Sequence, residues 1–134
     1  MAYEWIDAFC VSLPGACRSY QPDWEAMRYL VGDKMFAMTG RNKQGLPIVT
    51  LKLEPAFGRL LRQQYPDIVP GYYMNKEHWN SVSLEGTVPD EALREMLTQA
   101  HDIVLHSLRK KLQREITGQT PETARQNGSK EEAR

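Results

Sequence analysis

Residues 27–39, MRYLVGDKMFAMT, decide the fold of this chain. Two short apolar runs, residues 27–31 and 34–39, are separated only by Gly32 and Asp33. A pair of this kind between apolar runs is typical of a β-hairpin, because two-residue turns need backbone angles that Gly and Asp tolerate. The stretch therefore predicts two antiparallel strands joined by a tight turn.

The following segment predicts a third strand of the same sheet. A polar loop, residues 41–47, leads into residues 48–54, where side chains alternate in character as in a strand with one face on a core. The side predicted to face the core consists of Val49, Leu51 and Leu53. The opposite side consists of Ile48, Thr50 and Lys52. Further strands are expected at residues 68–69 and 79–84.

Three segments have the apolar spacing of helices. Residues 2–13 form the first, which Pro14 and Gly15 end. Pro55 begins the second, whose inner face is predicted to hold Ala56, Phe57, Leu60, Leu61 and Gln64. Residues 89–112 form the last, with a stripe of Leu93, Met96, Leu97, Ala100, Val104, Leu108 and Leu112. Short links between strands indicate an α+β fold, with an antiparallel sheet packed against helices.

Length and composition predict one folded domain, residues 1–112, followed by a disordered polar tail, residues 113–134. Hydrophobic residues make up 41% of the 134 positions, which is enough for a core. Lys+Arg and Asp+Glu both number 17, so any attraction to nucleic acid must come from a local patch. The sequence contains no apolar run of the roughly 20 residues that span a membrane and no basic, apolar leader. We expect a cytoplasmic monomer that needs no membrane and no cofactor.

Residues 70–82, PGYYMNKEHWNSV, hold the densest group of candidate binding residues. Lys76 could meet a phosphate, Asn75 and Asn80 could read base edges, and Trp79 could stack on a base. A structural interpretation stays open, in which Trp79 packs on the core and the Asn side chains cap backbone groups of a turn. Strict alternation along residues 78–84 favours an outward-facing Trp79.

A second polar hairpin loop supports a DNA-binding interpretation. Arg41 and Lys43 lie in that loop, and Lys52 lies on the strand face predicted to point away from the core. Together with the residue 70–82 turn they could form one basic strip. The candidate nucleic-acid contacts are Arg41, Lys43, Lys52, Lys76, His78 and Trp79. Scattered, solvated Lys and Arg side chains on a neutral protein are the alternative.

Aromatic residues offer a different class of function. A small-ligand or protein-binding face could include Tyr72, Tyr73 and Trp79, flanked by Asn75 and Asn80, because Tyr and Trp are favoured at such surfaces. Salt dependence separates the two hypotheses, since only phosphate contacts weaken steeply with salt. Cations at residues 109–114 need no partner if they end the last helix, where the helix dipole favours them.

Catalysis and metal binding have little support in the sequence. It contains no Gly-rich phosphate loop, and His101 and His106 are five residues apart rather than the four of a helical metal pair. Iron binding through Glu4, Asp7 and nearby carboxylates is a third hypothesis, although the first helix lacks the long row of carboxylates that a hard-cation site needs. A non-enzymatic protein without a metal site is therefore predicted. Cys10 and Cys17 are expected to be reduced, structural thiols.

The chain resembles the MmcQ/YjbR-like family of small bacterial proteins over about residues 4–112. Residues 70–82 carry most of the resemblance, through their Asn-Lys-x-His-Trp core. Residues 13–15, 23–24, 35–37, 51–52, 60–61 and 86–90 also match. The resemblance implies a frataxin/CyaY-like α+β fold and a proposed DNA-binding role through paired hairpin wings. It brings no established catalytic or cofactor residue to this sequence.

Overall fold

The computed structural model describes residues 4–71, 75 and 77–118. Its strands are β1 (Ala16–Gln21), β2 (Ala26–Val31), β3 (Lys34–Arg41), β4 (Pro47–Lys52), β5 (Ile68–Pro70) and β6 (Trp79–Ser83). Its helices are α1 (Ile6–Ser12), α2 (Pro55–Gln64), α3 (Asp90–Ser107) and α4 (Lys110–Thr117). The strands form one antiparallel sheet in the order β1-β2-β3-β4-β6-β5. The predicted α+β fold is confirmed.

The hairpin between β2 and β3 has the predicted tight turn. Gly32 and Asp33 both have positive φ, 58° and 66°, which is the backbone of a type I′ turn. The strand pairing shifts at Tyr29 and Leu30, so that the register passes from Tyr29↔Ala37 to Leu30↔Met35. Phe36 is the extra residue of this bulge, and it is fully buried together with Ala37.

The helices pack on one face of the sheet. Tyr29 and Asn80 lie in one row across the strands, through Ala37 and Leu51, and that row faces the helices. Asp7 of α1 accepts a hydrogen bond from the Tyr29 hydroxyl at 2.8 Å. Arg62 of α2 donates to the Asn80 side chain.

The longest helix, α3, reaches the sheet through a buried histidine. Its His101 ring meets the Phe36 ring edge-on at 5.4 Å. The His101 Nε2 lies 2.7 Å from the Pro14 carbonyl oxygen, to which it donates. The predicted apolar stripe of this helix is buried from Leu93 through Val104, and Leu105, which lies outside the predicted stripe, is buried too.

The sheet has two ends that matter for the candidate sites. The loop end holds the β1–β2 turn at residues 22–25 and the β3–β4 loop at residues 42–46. The turn end holds the Gly32–Asp33 turn, the start of α2, and residues 75, 77 and 78 before β6. Antiparallel registers fix this arrangement, because Arg41 pairs with Pro47 at one end of β4 and Lys52 pairs with Trp79 at the other.

Four local predictions need correction. Residues 16–21 form a strand that the sequence analysis did not predict. On α2, Leu60 is exposed while Gly58 and Leu61 are buried, so the predicted inner face is rotated. The expected last helix is two helices, which break at Leu108 and Arg109. The second of them continues to Thr117, five residues past the expected end of the folded domain at 112, and Ile116 packs against the core.

The faces of β4 follow the predicted alternation, but the exposure of the outer face differs. Val49, Leu51 and Leu53 are fully buried on the helix side. On the other side, Ile48 and Thr50 are also buried, because β4 is a central strand with β3 and β6 on its two sides. Thr50 and Ser81 share a hydrogen bond between their hydroxyl oxygens at 2.8 Å there.

Candidate functional site

Asn75 has a structural role in the turn before β6. Its side-chain oxygen accepts the Glu77 amide at 2.8 Å, and its carbonyl accepts the amides of His78 and Trp79. These bonds are typical of an Asx turn, in which Asn replaces a backbone acceptor. The Asn75 side chain is therefore occupied in shaping the turn.

Asn80 does not lie on a ligand surface, because it is fully buried. Its oxygen accepts from the Arg62 guanidinium, and its Nδ2 donates to the His78 carbonyl at 3.3 Å. A Cβ on Gly58 would lie 3.1 Å from that nitrogen, so the glycine allows α2 to approach the sheet. The side-chain oxygen and Nδ2 of Asn80 are therefore both bound to protein groups, and its base-reading role stays a prediction.

Lys52, His78 and Trp79 lie together at the turn end. Lys52 and Trp79 are direct partners across β4 and β6, and the His78 carbonyl accepts the Leu53 amide at 2.7 Å. All three side chains are partly exposed. Tyr72, Tyr73 and Lys76, which the sequence also nominated, lie outside the described residues.

Arg41 and Lys43 lie at the loop end, away from that group. Lys52 lies five residue steps along β4 from Pro47, which corresponds to about 17 Å along the strand. Arg41 Nη1 donates to the Gly45 carbonyl at 2.7 Å within its own loop. The two cations therefore do not form one local cluster with Lys52.

Other cations, outside the basic strip that the sequence predicts, lie at the turn end. Arg109, Lys110, Lys111 and Arg114 are exposed on or beside α4, and Lys34 is exposed next to the Gly32–Asp33 turn. The last two helices bring them there, since Leu108 packs over Gly32 and Ile116 over Gly15. Among the residues that the structure describes, none of these five takes part in an ion pair.

The helix dipole does not explain the α4 lysines. Because α3 ends at Ser107, Lys110 and Lys111 occupy the first turn of a new helix rather than the last turn of an old one. The positive end of a helix disfavours cations by about 0.3–1 kcal/mol each. That turn contains no acidic residue and no capping side chain. The sequence pattern predicts one continuous helix here, so it places these cations at a helix end. The break at Leu108 places Lys110 and Lys111 at a helix start instead.

Carboxylates lie at both ends of the sheet. The turn end has Asp33, Glu54, Glu77, Asp102 and Glu115, and the Glu54 carboxylate accepts the Phe57 amide at the start of α2. The acidic residues of the loop end are Asp23, Glu25, Asp67, Glu85, Asp90 and Glu91. These carboxylates outnumber Arg41 and Lys43, which disfavours an anionic partner at the loop end.

Asp7, which the iron hypothesis singled out, is bound to protein groups. Burial alone would raise the pKa of Asp7, but the hydrogen bonds from Tyr29 and Arg18 and the charge of Arg18 hold that pKa below its usual value. Burial, and then the bond to Asp7, raises the pKa of Tyr29. Within residues 4–71, 75 and 77–118, no three His, Cys, Asp or Glu side chains could together hold a metal ion.

The two thiols differ in accessibility, which corrects the expectation that both are structural. Cys10 is buried in α1, and burial with the nearby Asp7 charge raises its pKa to about 12, whereas Cys17 is exposed. Thiolate is the reactive form. We expect a thiol reagent at neutral pH to label one cysteine in the folded protein and a second only after denaturation. Cys17→Ser should abolish the fast reaction, and fast labelling of that variant would contradict the assignment.

This chain is similar to known proteins over most of its described part. Residues 11–103 match the family model described as YjbR. The uncharacterized protein YjbR of Escherichia coli K12 is 40% identical over 85 residues, which cover 63% of this chain and 71% of that protein. The uncharacterized protein YbdF of Escherichia coli O157:H7 is 32% identical over 100 residues, covering 75% and 80%.

Solved structures agree on the fold. The crystal structure of Deinococcus radiodurans protein DR2400, a DUF419 domain, is 31% identical, with a TM-score of 0.75 over 97% of this chain and 96% of that chain. A Pseudomonas syringae protein at 22% identity has a TM-score of 0.62, covering 78% and 99%. The frataxin/CyaY likeness stays a prediction. None of the helices in the described part of the chain is long and apolar enough to cross a membrane.

Proposed function

The chain belongs to the YjbR family, and we propose its function from its own surface, because the names of the matched relatives state no activity. It is a non-enzymatic protein that binds DNA through the turn end. The observation that carries this proposal is the pair Lys110 and Lys111, which are exposed in the first turn of α4 and have no carboxylate partner among the described residues. Phosphate oxygens supply the negative charge that this turn lacks.

The surroundings of α4 support a phosphate-binding surface. Arg109 and Arg114 extend the cation cluster along the helix, and Lys34 lies beside the turn over which Leu108 packs. Lys52 and the partly exposed Trp79 lie at the same end of the sheet. Cations contact the backbone and position the protein, while an aromatic ring can stack on an unpaired base. Neutral overall composition makes the expected attraction local and strongly salt-dependent.

The test is fluorescence anisotropy of labelled single- and double-stranded DNA over a salt series. We expect affinity in the micromolar range at low salt, and Lys110→Gln with Lys111→Gln to reduce the slope of log K against log salt by about 2, one for each lost phosphate contact. Gln keeps helix propensity similar to Lys, so loss of α4 is not the cause.

The matched control removes two cations from the loop end. Arg41→Gln with Lys43→Gln changes the net charge by the same amount, about 17 Å along β4 from Lys52. We expect it to leave the salt slope within error of the unmodified protein. An equal loss in both double variants would indicate bulk charge only. No binding at low salt would remove the proposal.

A further inference from the structure

A surface cavity of about 290 Å³, largely open to solvent, lies at the loop end, opposite the surface proposed to bind DNA. Tyr20, Met27 and Thr39 form one row across β1, β2 and β3 and line it. The same row continues through Val49 to Val82, which are fully buried under the helices. The cavity therefore opens where the apolar core reaches the end of the sheet.

The cavity wall is apolar and its mouth is charged. Met27 and Leu84 pack against the core, and Pro47, whose carbonyl accepts the Leu84 amide at 2.9 Å, completes the apolar side. Glu25 and Arg41 line the same cavity with opposite charges. Extending the register beyond Met27↔Thr39 places these two residues opposite each other.

The two charges at the mouth do not neutralise each other. Within the described part of the chain, neither Glu25 nor Arg41 forms an ion pair. Arg41 Nη1 instead donates to the Gly45 carbonyl at 2.7 Å, which fixes the guanidinium in its loop and leaves its other N–H groups available. Glu25 has a positive φ of 51°, so the chain keeps this carboxylate in a backbone conformation that is uncommon for Glu.

The groups that line the cavity restrict the class of occupant, whereas its volume does not, because the cavity is largely open to solvent. An apolar wall with a cation and an anion at the mouth fits a molecule that has an apolar body, a carboxylate and an ammonium group.

We propose that this cavity binds a small zwitterion with an apolar side chain, of the chemical class of free α-amino acids. Arg41 pairs with the ligand carboxylate, and Glu25 pairs with its ammonium group. The apolar body lies against Met27, Leu84 and Pro47, beside the exposed Tyr20 ring. No bond is made or broken, so the site is a binding site and not a catalytic one.

The probe for this site is L-phenylalanine at millimolar concentration. Changes of amide chemical shifts in NMR spectra report its binding. We expect shifts confined to residues around the cavity. Phenethylamine lacks the carboxylate and 3-phenylpropionate lacks the ammonium group, so each should bind at least tenfold more weakly. That factor corresponds to about 1.4 kcal/mol, the lower end for a hydrogen bond to a charged group. Equal binding of all three compounds would overturn the proposal.

Two variants that each remove one charge test the roles of Glu25 and Arg41. Glu25→Gln keeps a side chain of the same size at the positive φ, and Arg41→Gln removes the cation. Each should weaken L-phenylalanine binding about tenfold, while Lys43→Gln in the same loop should leave it unchanged. Unchanged binding in both cavity variants, or no shifts with the unmodified protein, would also overturn the proposal. Lys110→Gln with Lys111→Gln should retain amino-acid binding, so failure of the DNA proposal and failure of this one are distinguishable.

Discussion

Leu61→Ala is expected to lower the free energy of unfolding by about 2–5 kcal/mol, whereas Leu60→Ala is expected to change it by less than about 0.5 kcal/mol. The two leucines are adjacent on α2, but Leu61 is 6% exposed and Leu60 is 57% exposed. Only the first substitution leaves a cavity in the core. Because both variants make the same chemical change on one helix, helix propensity does not account for a difference between them.

Urea unfolding followed by circular dichroism measures both leucine variants. The midpoint should fall for Leu61→Ala, with the slope of unfolding free energy against urea unchanged. Equal destabilisation by the two variants would place Leu60 on the core face, as the apolar spacing of α2 had predicted, and would contradict the observed rotation of the helix.

Asn80→Ala is expected to destabilise the protein by about 2–4 kcal/mol. Asn80 is fully buried, and its side chain connects the Arg62 guanidinium on α2 to the His78 carbonyl before β6. Hydrogen bonds to charged groups contribute about 1.5–3 kcal/mol, and truncating a fully buried side chain adds the cost of a cavity. The substitution removes both bonds and leaves a void beneath Gly58.

A double-mutant cycle with Arg62→Ala identifies the cause. We expect a coupling free energy of about 0.5–3 kcal/mol between the two substitutions, as for residues that share one hydrogen-bond network. Asn75→Ala, which removes one Asx-turn bond at an exposed position, provides the control and should cost about 1 kcal/mol. Additive effects of Asn80→Ala and Arg62→Ala would show that the bond between them contributes nothing.

The parts of the fold that the sequence predicts well depend on local chemistry. The Gly32–Asp33 turn, Pro55 at the first position of α2 and the stripe of α3 follow from backbone geometry and helical spacing. Strand β1 was missed because its side chains, ACRSYQ, show no clear alternation, and its burial comes from pairing with β2 at the edge of the sheet. The position of α2 on the sheet depends on Gly58 and Asn80, which are distant in sequence.

Only part of the candidate site could be predicted, because contacts between residues distant in sequence form the rest. Lys52, His78 and Trp79 lie together because Lys52 and Trp79 are partners across β4 and β6, and a polar loop followed by a strand indicates that arrangement. Arg41 and Lys43 are a few residues from Lys52 in sequence, yet one strand length separates them in space. The α4 cations required knowledge of the break at Leu108, which no Gly or Pro marks.

The strand order also has a consequence for how the chain folds. Strands β1 to β4 pair with their neighbours in sequence, so these hairpins can close in succession. Strand β5 pairs only with β6, which comes later in the chain and lies between it and β4. Its pairing therefore cannot form before β6 is in place. We expect the Val69 amide, on this short edge strand, to exchange with solvent faster than the amides of the central strand β4.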